Sequence, residues 1–169
     1  MYNQIASSSE VNSFRSALSA VDFSLDQVVS QKWDQATLDA TVPYLSENTA
    51  RRLCSDLKEA PLLFIPLAHG AVAAGMDVFL HYSLFNSKDN LFYPVRFSKT
   101  KHKDRAPRIS PFEIAFLKKE VSGRVIVLFD EDKSTGRTIL GAKRFFSELF
   151  PENSIYLGYN DWTIGSAIT

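Results

Sequence analysis

Two short runs of nearly uninterrupted apolar residues constrain this chain more than any other feature. PLLFIPL (61–67) and RVIVLF (124–129) do not alternate apolar with polar positions. That pattern belongs to strands covered on both faces, as in a parallel sheet with helices on either side. The segments around them agree. Gly70 to about Phe85 predicts a helix, with Val72, Met76 and Phe79 among its apolar positions. Leu91–Phe97 (LFYPVRF) predicts a second strand, which Pro94 places at an edge or a bulge. Ser110, Pro111 and Glu113 supply an N-cap, a first-turn proline and a capping-box partner for a helix through Lys119. Thr138–Phe150 predicts a further helix, with Ile139, Leu140, Phe145, Phe146 and Leu149 apolar, and Ser154–Tyr159 a last strand. Strands that alternate with helices in this order imply an α/β fold, a mostly parallel twisted sheet flanked by helices.

The first 58 residues have a different texture and predict helices. Ser9 can cap a segment carrying Val11, Phe14 and Leu18, and Ser24 with Gln27 resembles a capping box before Val28, Val29 and Trp33. Ser46 can cap a third helix, with Ala50, Leu53 and Leu57 at helical spacing. The expected organisation is therefore a helical region over 1–58, serving as a hood or a packing layer, and an α/β core over 59–169.

A chain of 169 residues can bury about 70% of its unfolded surface in one self-sufficient core. Its formal net charge of zero argues against a general polyanion binder. The single cysteine, Cys54, excludes an internal disulfide framework and fits a reducing compartment. No apolar run approaches the ~20 residues of a membrane span, and MYNQIASSSE lacks a signal-peptide pattern, so a cytoplasmic protein is expected.

Chemistry concentrates in VIVLFDEDKSTGRTIL (125–140), where an apolar strand ends in Asp130 and Glu131. A short loop of small hydroxyl residues and glycine follows, then a helix. In an open parallel sheet, ligands bind beyond the carboxyl ends of the strands. Backbone N–H groups of Ser134–Thr138 at a helix N-terminus would attract a phosphate. Gly136 permits close backbone approach, and Ser134, Thr135 and Thr138 add hydroxyl donors. Neighbouring carboxylates suit hydrogen bonding to vicinal sugar hydroxyls and stabilising positive charge on a sugar ring.

This segment resembles the binding loop of the type I phosphoribosyltransferases: an apolar run, two acidic residues, two or three variable residues, then Thr-Gly and a helix. Here VIVLF is followed by Asp130-Glu131, by Asp132-Lys133-Ser134, and by Thr135-Gly136-Arg137-Thr138. The resemblance implies that Asp130 and Glu131 hold the ribose hydroxyls of phosphoribosyl pyrophosphate (PRPP), and that Ser134, Thr135, Gly136, Arg137 and Thr138 cradle its 5-phosphate. It implies that the turn Ala68-His69-Gly70 after the first strand approaches the pyrophosphate, although the family often carries Arg or Lys beside glycine there. The basic stretch from Arg96 to Arg108 matches the family's mobile loop, with Arg96, Lys99, Lys101 and Lys103 expected to neutralise the leaving group. Mg²⁺ is implied as the cofactor, carried mainly by PRPP, with Asp130 and Glu131 within the metal's reach. The acceptor is expected to be a nitrogenous base, and the partner a second copy of the chain or another subunit. Ser134 stands where some purine-using relatives carry an aspartate, so no activation of the base by a carboxylate is implied there.

Other readings are weaker. Asp130-x-Asp132 fits the nucleophile motif of haloacid dehalogenase-type phosphatases, but the later lysine and acidic motifs are missing. Gly136-Arg137-Thr138 resembles the end of a P-loop without its upstream glycine or its lysine. His81 and His102 are read as having no Cys or acidic partner at metal-ligand spacing, which argues against a zinc site. Two alternatives to the enzyme stand open: a non-catalytic ligand sensor or assembly subunit on the same fold, and a nucleic-acid module built on Lys99–Arg108. Zero net charge and the lack of interleaved aromatic residues count against the second.

Overall fold

The computed structural model describes residues 41–68, 70–97, 103–131 and 136–160. The segments that Ser9 and Ser24 are expected to cap lie outside them. Nine elements follow in order: α1 (Pro43–Leu57), β1 (Leu62–Ala68), α2 (Ala71–Phe85), β2 (Leu91–Phe92), β3 (Val95–Arg96), α3 (Pro111–Glu120), β4 (Val125–Asp130), α4 (Arg137–Leu149) and β5 (Ile155–Tyr159). The strands lie in the order β2-β1-β4-β5, with β3 continuing the β2 side of β1, and every strand pairing is parallel.

The two apolar runs occupy the centre of the sheet as β1 and β4, and so are covered on both faces. Side chains of a strand alternate between faces, and the core divides accordingly. Leu63, Ile65 and Leu67 of β1 join Ile126 and Leu128 of β4 against Leu117 of α3 and Ile139, Ala142 and Phe146 of α4. Leu62 and Phe64 join Val127 and Phe129 against Leu53 of α1 and Ala74, Val78 and Tyr82 of α2. Among the described residues each face therefore carries two helices.

The expected strand over 91–97 is split in two, and the prolines explain how. Leu63 pairs with Leu91 and Leu67 with Val95, so the register offset is the same on both sides of the break. Tyr93 N–H donates to Phe64 O and Phe97 N–H to Ala68 O, at 2.9 and 3.3 Å. The even residues of β1 thus face the edge strand, and Pro66 is the one among them that has no N–H to give. Pro94 lies opposite it on the edge strand, with its ring nitrogen on the outer side, where edge prolines are tolerated. The ladder is interrupted, but no bulge shifts it.

Helix starts follow local chemistry in one case and not in another. At α3 the capping box forms as expected: Glu113 N–H donates to Ser110 Oγ at 3.3 Å and Ser110 N–H to Glu113 Oε2 at 2.8 Å. Ser46 does not cap α1. The helix begins one turn earlier, with Val42 as the N-cap residue and Pro43 in its first turn, where the proline's fixed φ suits a helix opening. Ser46 is instead fully buried and accepts from Asn160 Nδ2 at 3.2 Å, while Thr49 Oγ1 donates to Asn160 Oδ1 at 2.8 Å. This buried network fastens the end of β5 to α1.

Helix α2 comes close to the sheet because Gly75 faces it. A Cβ there would stand 2.9 Å from Pro66 Cβ, 3.1 Å from Phe129 Cδ1 and 3.3 Å from Phe64 Cε1. The Pro66 ring cannot turn away, so Gly75→Ala should overpack this layer and cost about 1–3 kcal/mol. Chemical denaturation checks it; a midpoint equal to that of the parent would show that the layer yields freely.

Two phenols sit against carboxylates at opposite edges of the sheet. Tyr93 donates to Glu113 Oε1 at 2.8 Å, and Tyr156 to Asp56 Oδ2 at 2.6 Å. Burial first, and the acidic partner second, push each phenol up to about 12. A pKa raised on folding adds stability that is complete below the ordinary phenol value of ~10 and is lost as pH rises through the folded value. Of the six tyrosines, Tyr93 and Tyr156 should therefore ionise among the last in an ultraviolet phenolate titration, with stability falling between pH ~10 and about 12. Loss of the late phase in Tyr93→Phe and Tyr156→Phe would assign it.

Candidate functional site

Parallel pairing brings the carboxyl ends of the strands to one edge. Ala68 pairs with Arg96, and Asp130 with Tyr159. Since Pro66 pairs with Phe129, the same register carried two residues on sets Glu131 beside Ala68. One row across this edge therefore reads Arg96, Ala68, Glu131 and Asn160, directly beyond the row Val95, Leu67, Asp130 and Tyr159.

The two acids leave the strand in different directions. Val127 and Phe129 face α1 and α2, and Ile126 and Leu128 face α3 and α4. By that alternation Asp130 belongs on the α3/α4 side and Glu131 on the α1/α2 side. Glu131 bears this out: its Oε1 lies only 1.9 Å from the point where a Gly70 Cβ would stand, with Cδ at 2.4 Å and Oε2 at 2.8 Å. The carboxylate is thus laid directly against the turn that opens α2. Gly70 itself has ordinary right-handed helical dihedrals, φ −63° and ψ −43°. Glycine is needed here for the room it leaves to Glu131, not for an unusual backbone.

The opening of α4 does depend on backbone freedom. Gly136 is its N-cap residue, with φ +61° and ψ 0°, in the left-handed region that glycine enters without steric cost. No side chain caps this helix start, and the first intrahelical bond, Leu140 N–H to Gly136 O, is 3.0 Å. Thr138 is half-buried and Arg137 exposed in the first turn. The first-turn amides of such a helix point outward and favour an anion.

Arg96 is exposed at the end of β3. Val95 and Phe97 on either side of it belong to the α3/α4 core, so Arg96 leaves by the same face as Glu131, one strand beyond Ala68. Lys103 is exposed and adopts φ +51°, an uncommon conformation for a residue with a side chain. His69, Lys99, Lys101, Ser134 and Thr135 lie outside the described residues. Among the described residues no three His, Cys, Asp or Glu side chains form a metal-binding group, and no helix is long and apolar enough to cross a membrane.

Sequence reasoning passed over one pair in this region. Arg108 returns along the outer edge of β3, where its N–H donates to Arg96 O at 2.8 Å in an antiparallel bridge. Its guanidinium is held by the buried carboxylate of Asp104, with Nε and Nη2 at 3.1 and 2.9 Å from Oδ1. The available signal was the one acid in an otherwise basic stretch, four residues before an arginine.

No protein-family model matches this chain, and no curated protein matches it. Among solved structures it is similar to a hypoxanthine-guanine phosphoribosyltransferase from Bacillus anthracis, with a TM-score of 0.50 at 13% identity, over 74% of this chain and 71% of that one. At that identity the likeness is one of fold: a mostly parallel sheet flanked by helices, of the phosphoribosyltransferase type.

Proposed function

We propose that this protein is a phosphoribosyltransferase, which moves the phosphoribosyl group of PRPP to a nitrogenous base and releases pyrophosphate. The observation that carries this reading is the assembly at one sheet edge of Asp130 and Glu131, the left-handed Gly136 opening α4, and the glycine turn opening α2. The similarity in fold to a hypoxanthine-guanine phosphoribosyltransferase supports it. In this reading the 5-phosphate rests on the start of α4, with Ser134, Thr135, Gly136, Arg137 and Thr138 around it. The pyrophosphate lies toward Ala68-His69-Gly70, flanked by Arg96 and by the basic residues Lys99, Lys101 and Lys103.

The chemistry follows from those positions. The bond between the ribose anomeric carbon and a pyrophosphate oxygen breaks, with its electron pair leaving on oxygen. A base nitrogen supplies the pair for the new bond and gives up a proton. The ring passes through oxocarbenium character, which nearby carboxylates stabilise, while cations offset charge gathering on the leaving group. Mg²⁺ favours one or two carboxylates plus phosphate oxygens over an all-protein cage, which suits the carboxylates of this strand end. Glu131, on the pyrophosphate side, would hold the ion there, while Asp130 leaves by the opposite face, and the metal would supply further neutralisation of the leaving group.

The double substitution Asp130→Asn with Glu131→Gln should abolish PRPP binding and leave the thermal transition nearly unmoved. Calorimetry that found undiminished PRPP affinity in a folded double variant would end the assignment. A sharper test uses Gly70→Ala. Its backbone conformation accepts alanine, and the three atoms nearest the new methyl all belong to the movable end of Glu131. The variant should fold with unchanged or slightly raised stability and bind PRPP at least ~10-fold more weakly, a factor equivalent to about 1.4 kcal/mol. Undiminished affinity would place the pyrophosphate away from Glu131.

A non-catalytic sensor on the same fold is the second reading. What favours it is the Glu131 carboxylate lying against Gly70, on the turn where a pyrophosphate would have to sit. Pyrophosphate release from PRPP across a panel of bases separates the two. Tight binding without turnover on any base would select the sensor.

A further inference from the structure

We propose that Arg108 is a second guanidinium for the pyrophosphate group, working beside Arg96 and held in position by Asp104; this rests on the PRPP reading above. Arg96 and Arg108 form an antiparallel bridge at the outer edge of the sheet. Directly opposed residues of such a pair project to the same face. That face is the α1/α2 side, where Glu131 meets Gly70, because Val95 and Phe97 point the other way into the core. Two arginines are thus set side by side, next to the turn between β1 and α2.

Like charges directly opposed across a strand pair are unfavourable, so the arrangement needs compensation. Asp104 provides part of it. Its side chain is 3% exposed, while that of Arg108 is 57% exposed. The Nε and Nη2 edge of the guanidinium is occupied by Asp104 Oδ1. A guanidinium has five N–H donors, and the outer ones remain for an anion. Arg96 has no side-chain hydrogen bond or ion pair among the described residues. Asp104 offsets the charge of Arg108, and a diphosphate is the kind of ligand that matches the cationic charge left at Arg96 and at the outer edge of Arg108.

The backbone next to Asp104 is unusual: Lys103 adopts φ +51°, and the residue that follows it is buried against the Arg108 guanidinium. A left-handed conformation at a lysine is unfavourable and persists only where the surroundings enforce it. Arg108 N–H to Arg96 O then fixes the far end of the segment. Asp104 is in this sense a positioning residue, and Arg108 the residue that meets the ligand.

The test compares two ligands on the full-length protein by calorimetry in the presence of Mg²⁺: inorganic pyrophosphate and ribose 5-phosphate. In Arg108→Gln, pyrophosphate affinity should fall roughly ten-fold or more, the usual worth of a charge-assisted hydrogen bond. Ribose 5-phosphate affinity should stay within about two-fold, because its phosphate sits at the start of α4. Arg108→Lys keeps the charge without the fork and should recover part of the loss, which a purely structural arginine would not predict. Asp104→Asn should weaken pyrophosphate selectively and by less. Equal losses for both ligands, with a lowered thermal transition in both Arg108 variants, would overturn the proposal, as would unchanged pyrophosphate affinity. If the parent protein binds ribose 5-phosphate and PRPP but not pyrophosphate, Arg108 has no such role. If it binds none of the three, the PRPP reading itself fails and takes this assignment with it.

Discussion

The parallel register of β1 with its two neighbours is the constraint on which the site depends. Parallel strands deliver all their carboxyl ends to one edge, and the loops and helices that follow must start there. In this chain the register is held by fully apolar contacts: Leu63, Ile65, Ile126 and Leu128 on one face, Leu62, Phe64, Val127 and Phe129 on the other, all fully buried. A slip of one residue would exchange these sets between faces. It would also send Glu131 to the α3/α4 side and Asp130 toward α2. The identity of the acid that meets Gly70 is therefore decided by the packing of residues several positions upstream.

Close approach is the second requirement, and it is met twice on the same helix. Gly75 lets α2 settle onto Pro66, Phe129 and Phe64, and Gly70, at the helix start, lets the Glu131 carboxylate lie against the turn. The two glycines serve different ends. Gly75 is pressed between a helix and a sheet that cannot move, whereas Gly70 faces the mobile end of one side chain. The first concerns stability, and the second the geometry of the site.

Much of this was legible in the sequence, and the exceptions have physical causes. The central strands, the helix between them and the α3 capping box followed from periodicity and local hydrogen-bonding chemistry. Such chemistry operates over three or four residues, and nothing distant competes with it at Ser110. Ser46 shows the opposite case. Its hydroxyl had a local use as a cap, but Asn160, 114 residues away, claims it in a buried network, and Pro43 opens the helix earlier. A single strand over 91–97 was expected, with Pro94 marking an edge or a bulge; its split into β2 and β3 follows from the donor missing at Pro66 across the ladder, which only the register discloses. The acidic pair was recognised as a pair, but a β-strand sends neighbours to opposite faces, so the acids act from two sides of the edge. Arg108 could not be singled out from its basic neighbours until the antiparallel bridge set it beside Arg96.

The position of Glu131 has an electrostatic consequence for any anion that approaches the start of α2. A carboxylate at a helix N-terminus is favoured by the partial positive charge there, so Glu131 already holds the place that a pyrophosphate would seek. Two anions cannot share it without a cation between them or a displacement of one. Among the described residues, Arg96 and its neighbour Arg108 supply cations along this row, on the far side of Ala68 from Glu131. An incoming diphosphate would be drawn toward the arginines and repelled by the acid, until a divalent ion on the diphosphate reverses that repulsion into attraction. A turn guarded by Glu131 and flanked by arginines would therefore discriminate between metal-bound and metal-free diphosphate more sharply than a turn lined by lysine. On this view the absence of Arg or Lys beside Gly70 is compatible with diphosphate binding, provided that the ligand arrives with its metal.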